Sequence, residues 1–272
     1  MEKPLVSTII TTYNWNKKRL SECLDSILSQ TYKNIEIIIV NDASTNDIDD
    51  TIKEYQFKNK NITYLKNKKN LWCSKSSNKW INYSKWKYIA RIDDDDIRWN
   101  KDKIYKQVKF LEENPDYAIC WTKMITMDEN WNLIKEIPLK TTDKEIRKNI
   151  LISNQFIHSW VLLNKKHLQQ LWWYNILYKS AIDYELWCRL WRKHKFANLD
   201  NTYTYYRINT QWITSKKWKE QTYNTIKIMI KNCLYYPNFH KGLFKEFLLL
   251  VPQNIKGKIR IINNKITAQK NV

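Results

Sequence analysis

Three stretches of β-branched and apolar residues, each followed by a stretch with helical periodicity, constrain the fold of this chain most strongly. They are Leu5–Thr12, Ile35–Val40 and Tyr88–Ile92. Ile35–Val40 is almost continuously apolar, which is typical of a strand covered on both faces, as in a parallel sheet. The helical candidates are Lys17–Gln30, Asp47–Phe57, Ser74–Ser84 and Lys101–Glu113. This alternation predicts an α/β fold with a mostly parallel central sheet flanked by helices.

The second half of the chain has a more mixed pattern. We predict strands at Ile62–Leu65, Tyr117–Met124, Gln155–Leu163 and Thr202–Ile208, a hairpin around Asn130, and helices at Lys144–Ile150 and Asp183–Lys193. Residues 214–272 carry 12 Lys or Arg and 2 Asp or Glu. We therefore expect one domain over residues 1–213 and a basic, helical extension over 214–272.

Charge and composition exclude several classes of protein. The formal net charge of +20 favours anionic partners, and 43% hydrophobic residues argue against disorder. The longest apolar run is Phe247–Val251, far shorter than the roughly 20 residues of a membrane-spanning helix. Because Pro4–Tyr13 already has the pattern of a strand, we expect no signal peptide. Five scattered cysteines without metal-site spacing indicate reduced thiols in a cytoplasmic protein.

Glycine and tryptophan occur in abnormal numbers, 2 and 14. Average usage would give about 19 glycines in a chain of this length. Tryptophan stands where turns and helix ends favour glycine, at Trp15, Trp86, Trp131 and Trp172–Trp173. Either the protein is rich in tryptophan, or UGA codons that some bacterial lineages read as glycine have been translated as tryptophan. Trp187, inside a helical segment, fits a genuine tryptophan.

Polar residues follow the strands at the edge where α/β sheets bind ligands. Thr12, Tyr13 and Asn14 follow the first strand, Asp42 the second, and Asp93–Asp96 the fourth. Alternate carboxylates of an extended loop, such as Asp93 and Asp95, suit Mg²⁺ or Mn²⁺; the alternative is a solvated acidic loop that caps the next helix. Asp42 could equally cap a helix near Asp47, and Tyr13 could stack on a base or simply pack.

Four motifs in the same order resemble the family-2 glycosyltransferases, which are inverting enzymes with the GT-A fold. They are the segments 5–14, 23–32, 36–45 and 88–97, and the resemblance continues through 107–115 to 183–190. The family has glycine at most of the tryptophan positions, including Trp72 and Trp80. The resemblance implies a nucleotide-sugar half over 1–115 and an acceptor half over 116–213.

The resemblance also implies roles for individual residues. Thr12, Tyr13, Asn14, Asp42, Lys75, Asp93 and Asp94 would bind the nucleotide-sugar, Asp95 would ligate Mn²⁺ or Mg²⁺, and Asp183 would be the catalytic base. Asp183 could instead be a helix N-cap. His158 is a possible acceptor-site residue or a structural histidine.

Three departures from the family pattern stand out. In the second acidic motif the residue before Asp183 is Ile182, so only Asp183 carries over. Ser77 stands where the family commonly has arginine, and Lys75 would supply the charge instead. Ala43 stands where the family usually has glycine.

The leading interpretation is a metal-assisted transferase that moves a sugar from a UDP-sugar to a glycan or lipid-linked glycan of the cell envelope. The alternatives are a nucleotidyltransferase of similar fold and a non-enzymatic basic nucleic-acid-binding protein. Acidic strand ends argue against nucleic acid, so we expect no nucleic-acid partner. Residues 238–260 mix lysine with Phe and Leu, which is typical of a helix on an anionic membrane surface or of a helix packed on the domain. We expect a cytoplasmic protein, peripheral on the inner face of the plasma membrane.

Overall fold

The computed structural model describes residues 3–14, 16–81, 84, 87–93, 96, 100–128, 130, 132–207 and 217–251. Strands are β1 Val6–Thr12, β2 Ile35–Asn41, β3 Ile62–Lys66, β4 Tyr88–Asp93, β5 Tyr117–Met127, β6 Leu133–Ile137, β7 Val161–Asn164 and β8 Lys195–Arg207. Helices are α1 Lys17–Leu28, α2 Asp49–Lys58, α3 Trp72–Ile81, α4 Lys103–Glu113, α5 Asp143–Asn149, α6 Lys165–Gln169, α7 Ile182–Leu190, α8 Trp218–Asn232 and α9 Phe239–Leu250.

These strands form a single sheet in the order β3-β2-β1-β4-β7-β5-β6, with β8 beside β5. The pairs β1–β2, β1–β4, β2–β3 and β5–β8 are parallel, whereas β7 runs antiparallel to β4 and β5. Helices flank the sheet, and buried apolar residues form a core cluster on each side of it. The expected α/β fold with a mostly parallel sheet is confirmed. The β5–β6 hairpin is also confirmed, although Trp131 at its turn lies outside the described residues.

One predicted strand is wrong over most of its length. Only Val161–Asn164 of the region forms a strand, and the residues from Gln155 to Trp160 form a loop. The apolar side chain of Phe156 is buried from this loop, so its hydrophobic character does not report a strand. Trp160 has a φ of 68°, which ends any extended conformation just before β7. The final strand is also longer than predicted, because it begins at Lys195 rather than at Thr202.

The last two helices pack on the rest of the molecule. Helix α8 contacts both α7 and α9. Gly242 on α9 lies so close to the loop after α5 that a Cβ there would come within 1.6 Å of the Leu151 carbonyl oxygen. Close approach of a helix to another backbone is a common reason for glycine. The proposed division at residue 213 falls in 208–216, which lies outside the described residues.

Several tryptophans have the left-handed backbone conformation that favours glycine. The φ angles are 66° at Trp72, 68° at Trp160, 58° at Trp172 and 63° at Trp173. A side chain with a Cβ adopts this conformation at a cost of about 1–2 kcal/mol per residue. By contrast, Trp121 and Trp191 are fully buried and donate their indole N–H groups to Ser159 O and Asp143 Oδ1. The recoding hypothesis stays a prediction, and Trp15 and Trp86 lie outside the described residues.

Within the described ranges, no helix is both long and apolar enough to cross a bilayer. All five cysteines are described, and none forms a disulfide.

Candidate active site

The carboxyl ends of β1, β2 and β4 bring the predicted nucleotide-site residues to one edge of the sheet. Thr12 pairs with Asn41 in the β1–β2 register, and Thr11 pairs with Asp93 in the β1–β4 register. Because the three strands are parallel, the loops that follow them leave the sheet on the same side. The sequence-based expectation that these strand ends meet is therefore fulfilled by the topology.

Asp42 is held at this edge by bonds to one of its two carboxylate oxygens. Its Oδ1 accepts hydrogen bonds from Asn67 Nδ2 at 2.7 Å and from the Leu71 N–H at 3.0 Å. Within the described ranges no hydrogen bond is made to the other oxygen, Oδ2. Helix α2 begins after Ile48, which caps it without a side-chain bond, so the reading of Asp42 as a helix cap is wrong. Asp42 has the geometry of a fixed acceptor with one oxygen left for a ligand.

The residues after β1 differ in what they contact. Thr12 is buried, and its backbone oxygen accepts the Asp42 N–H at 2.9 Å. The side chain of Tyr13 is 46% exposed, so its ring is available for stacking. Asn14 has a φ of 57°, and its Oδ1 accepts the N–H of Thr45 at 2.7 Å. Asn14 thus ties the loop after β1 to the loop after β2.

Helix α3 begins beside this edge and presents Lys75, which is exposed in its first turn. The substituted position Ser77 is buried, and its hydroxyl oxygen lies 3.8 Å from Cys73 Sγ. The other departure from the family pattern is explained by the backbone, because Ala43 has a φ of 63°, the conformation that favours glycine.

Asn67 is a site residue that the sequence analysis missed. It follows β3, is buried, and donates from Nδ2 to both Asp42 Oδ1 and Ser76 Oγ, while its Oδ1 accepts from Lys79 Nζ at 3.1 Å. The signal was its place directly after the third strand, the position that singled out Asp42 after the second. Asn67 fixes the orientation of the Asp42 carboxylate.

Asp93 ends β4 and forms an ion pair with the buried Arg91, whose Nη2 lies 2.8 Å from Asp93 Oδ1. The same guanidinium donates to Thr11 Oγ1 and holds the ends of β1 and β4 together. The side chain of Asp93 is 40% exposed. Burial tends to lower the pKa of Arg91, but the Asp93 carboxylate together with Cys73 and Tyr174 outweighs this effect, so the pKa is raised and the charge is retained.

The predicted metal ligand Asp95 and its neighbour Asp94 lie outside the described residues. Across the ranges that are described, no cluster of three or more His, Cys, Asp or Glu side chains forms a metal site. The backbone N–H of Asp96 donates to Asp93 O at 3.2 Å, which turns the chain directly after β4. Carboxylate oxygens are hard donors of the kind that Mg²⁺ and Mn²⁺ prefer, so the residue types of this loop fit such an ion.

Asp183 is the second residue of α7, whose N-cap is Ala181, so the N-cap interpretation of Asp183 is wrong. Its Oδ2 accepts a hydrogen bond from Asn154 Nδ2 at 2.9 Å. Desolvation raises the pKa of Asp183 to about 6, helped by the nearby Asp93 charge and opposed by hydrogen bonds from backbone N–H groups and Asn154. A carboxyl group with this pKa is mostly ionised at neutral pH and is basic enough to take a proton in catalysis.

His158 lies deeper, between Tyr174 and the ring of Trp187. Its Nε2 is 2.7 Å from the Tyr174 hydroxyl. Burial, with the nearby Arg91 charge, lowers the pKa of His158 to about 3, so the ring is neutral at physiological pH. These contacts favour a packing role over contact with an acceptor.

A cavity of about 260 Å³ opens beside Asp183. It is bounded by the 153–154 loop, the start of α7, one face of α8 and the inner face of α9, where Lys245 and Glu246 line it. Asp183 lines this cavity and interacts electrostatically with Asp93 at the sheet edge.

Known proteins are similar in sequence to this chain over most of its length. The sequence model described as glycosyl transferase family 2 matches residues 7–172. An uncharacterized glycosyltransferase of Methanocaldococcus jannaschii is 35% identical, with 98% of this chain and 96% of the relative aligned. The Escherichia coli UDP-Glc:alpha-D-GlcNAc-diphosphoundecaprenol beta-1,3-glucosyltransferase WfaP is 31% identical, with 89% of this chain and 95% of the relative aligned.

Solved structures have the same fold at lower sequence identity. The mannosyltransferase PcManGT from Pyrobaculum calidifontis, in complex with GDP-Man and Mn²⁺, superposes with a TM-score of 0.67 over 90% of this chain and 69% of that one, at 14% identity. S. aureus TarS in complex with UDP-GlcNAc gives a TM-score of 0.64 over 89% of this chain and 71% of that one, at 17% identity. At these identities the likeness shows a shared fold. From its sequence and its fold alike, this chain belongs to glycosyltransferase family 2.

Proposed function

We propose that this glycosyltransferase transfers a sugar from a UDP-sugar to a glycan or lipid-linked glycan of the cell envelope, with inversion at the anomeric carbon. The observation that carries the proposal is that Asp183 lines an open cavity and interacts electrostatically with Asp93 at the sheet edge, with its pKa raised to about 6. The Escherichia coli relative is named for a UDP-Glc donor and a diphosphoundecaprenol-linked acceptor, which supports both substrate classes.

The chemistry assigned to Asp183 is general-base catalysis. Its carboxylate takes the proton from the acceptor hydroxyl as that oxygen attacks the anomeric carbon of the donor sugar. The new bond forms on the face opposite the nucleoside diphosphate, which leaves with the electron pair of the broken bond. Asn154 donates to one carboxylate oxygen at 2.9 Å and so helps to orient the group.

The nucleotide is assigned to the opposite side of the site. Asp42 accepts a hydrogen bond from the N–H of the uracil ring through Oδ2, Tyr13 stacks on the ring, and Lys75 neutralises charge on the diphosphate. The fixed Oδ1 of Asp42 and the exposed ring of Tyr13 support these roles. Asp93 and Asp94 would lie near the ribose and the sugar, as expected from the resemblance.

A divalent cation fits the acidic loop after β4 by its donor chemistry. Asp95 would hold Mn²⁺ or Mg²⁺. When bound, the cation would stabilise the negative charge that develops on the leaving diphosphate. The Mn²⁺ in the structure of PcManGT supports a metal of this type.

The outer face of α9 supports a place at the inner face of the plasma membrane. Phe244, Phe247 and Leu250 are exposed on this helix, and the exposed Lys241 lies one turn before Phe244. Apolar side chains beside basic residues are typical of helices that lie on anionic lipid surfaces.

Nucleotide-dependent thermal stabilisation tests the donor assignment. We would measure melting with UDP, GDP, CDP and dTDP, each with and without Mn²⁺, for the wild type, Asp42→Ala and Asp183→Asn. A ligand at 100 times its Kd stabilises by about 2.7 kcal/mol, which is readily detected. UDP should stabilise the wild type and Asp183→Asn and should stabilise Asp42→Ala much less.

Transfer is then measured with UDP-glucose and GlcNAc-diphosphate-prenol. Asp183→Asn should bind UDP but form no product, because only the base is lost. Stabilisation by GDP alone, or equal product formation by Asp183→Asn, would contradict the proposal.

A further inference from the structure

One buried carboxyl group near the active site has no hydrogen-bond or ion-pair partner among the described residues. Glu246 on α9 is 8% exposed and lines the cavity beside Asp183. Within the described ranges it makes no hydrogen bond or ion pair. Its pKa is raised by desolvation, an effect that the neighbouring Lys245 only partly opposes. Burying a carboxyl group without a partner is unfavourable, so such groups are frequent where a ligand supplies the missing bonds.

The position of Glu246 is fixed by the backbone contacts of its helix. Gly242, one turn earlier on the same face, is in close contact with the Leu151 carbonyl. Asn238 Nδ2 donates to Lys148 O at 2.8 Å, and Lys245 Nζ donates to Ile152 O at 3.3 Å. These contacts anchor α9 to residues 148–152, directly before the loop that carries Asn154. Glu246 and the Asp183–Asn154 pair therefore belong to one connected wall.

The cavity is suited to an uncharged polar ligand. Its neutral polar groups are the side chains of Ser153, Asn154, Gln221, Thr222 and Thr225, and Met229 and Leu249 add apolar surface. Its charged groups are two carboxylates and one lysine, which already donates to a backbone carbonyl. A diphosphate would be repelled by the carboxylates, whereas sugar hydroxyls can donate to them.

Cavity size sets a limit on what binds there. About 260 Å³ is smaller than the roughly 300–1,000 Å³ of pockets for drug-sized ligands. A single monosaccharide unit fits that space, and the rest of a longer acceptor extends into solvent.

We propose that the cavity binds the terminal monosaccharide of the acceptor and that Glu246 positions it by accepting hydrogen bonds from its hydroxyl groups. The inference rests on the proposed function, because Asp183 then faces the one hydroxyl that reacts. The two helices that form this wall, α8 and α9, lie beyond residues 7–172, the part of the chain that the family model matches. On this proposal they determine which acceptor the chain selects.

The test compares Glu246→Gln with Glu220→Gln, which makes the same change on α8 outside the cavity lining. Slow hydrolysis of UDP-glucose without acceptor reports the donor site and Asp183. Two measurements report acceptor binding in the cavity. The first is the rate of transfer to GlcNAc-diphosphate-prenol. The second is the binding of methyl glycosides of glucose, galactose, mannose and GlcNAc, measured by saturation-transfer NMR.

Glu246→Gln should raise the acceptor KM about tenfold, the loss expected for one hydrogen bond to a charged group. The donor KM, donor hydrolysis and UDP-induced stabilisation should stay unchanged, and Glu220→Gln should behave like the wild type. A purely structural role would instead lower the melting temperature and lower donor hydrolysis together with transfer.

Failure of the inference and failure of the proposed function are distinguishable. A protein that neither binds UDP nor hydrolyses UDP-glucose contradicts the proposed function. A protein that does both, but whose saccharide transfer and glycoside binding show no dependence on Glu246, overturns the inference alone.

Discussion

Replacing Trp172 by glycine should make the protein more stable than replacing it by alanine. Trp172 has a φ of 58° and a side chain that is 87% exposed, so removal of the ring loses little packing in either variant. Alanine keeps the Cβ that is strained in the left-handed conformation, and glycine removes it. The comparison of the two variants therefore isolates the cost of the Cβ.

The expected difference follows from two opposing effects. The left-handed conformation costs a residue with a Cβ about 1–2 kcal/mol. Glycine gives back about 0.4–1 kcal/mol because it makes the unfolded chain more flexible. The net advantage of Trp172→Gly over Trp172→Ala is about 0.5–1 kcal/mol, or about 1–4 °C in melting temperature for a protein of this size.

Trp191 provides the control of opposite sign. It is fully buried, has a φ of −74°, stacks on Phe196 and donates to Asp143. Both Trp191→Ala and Trp191→Gly should lose about 3–5 kcal/mol, and glycine should now be the less stable of the two.

Urea unfolding of the four variants measures these differences. Equal or greater stability of Trp172→Ala than of Trp172→Gly would refute the strain argument. UGG codons at Trp72, Trp160, Trp172 and Trp173 would refute the recoding hypothesis, which expects UGA at all four.

Further predictions concern the catalytic base, the proposed nucleotide site, helix α9 and membrane binding. Because the folded-state pKa of Asp183 is about 6 and the base must be ionised, kcat/KM should fall about tenfold per pH unit below about pH 6, a limb measured in initial-rate profiles. Its raised pKa also means that the ionised form destabilises the fold at neutral pH, so Asp183→Asn should melt at an equal or higher temperature than the wild type. Asn67→Ala should weaken UDP binding in calorimetry about fivefold or more by freeing the Asp42 carboxylate, with an unchanged acceptor KM; equal UDP affinity would contradict this. Gly242→Ala should displace α9, lower transfer at least about tenfold and spare UDP binding. Phe247→Glu should abolish cosedimentation with phosphatidylglycerol vesicles, and unchanged sedimentation would remove the argument for a membrane surface.

The sheet, and the edge of it that holds the candidate nucleotide-site residues, were predictable from sequence because their signals are local. Continuous apolar runs identify buried parallel strands, and parallel strands place their following residues at one edge. Asp42, Asp93 and Thr12 could be placed together on that basis alone. The same rule would have found Asn67, had it been applied to the shorter third strand.

Long-range packing was not predictable in the same way. Phe156 belongs to a segment whose apolar content resembles a strand, but its burial comes from a loop folded onto α7 and β8. Glu246 carries no signal in sequence, since one acidic residue in a basic helix is ordinarily solvated. The packing of α9 on residues 148–152, which includes the contact of Gly242 with the distant Leu151, turns that carboxyl group inward.

Because α9 is attached to residues 148–152, the proposed acceptor site and the proposed donor site are built from separate parts of the chain. The ends of β1, β2 and β4 carry the residues proposed to bind the donor, and α8 and α9 line the cavity beside Asp183. On the proposed function, exchange of residues 217–251 between relatives would create hybrid enzymes that keep the activated sugar and build a different linkage. New polysaccharide structures could then arise in evolution by replacement of this short helical segment, without any change in nucleotide recognition.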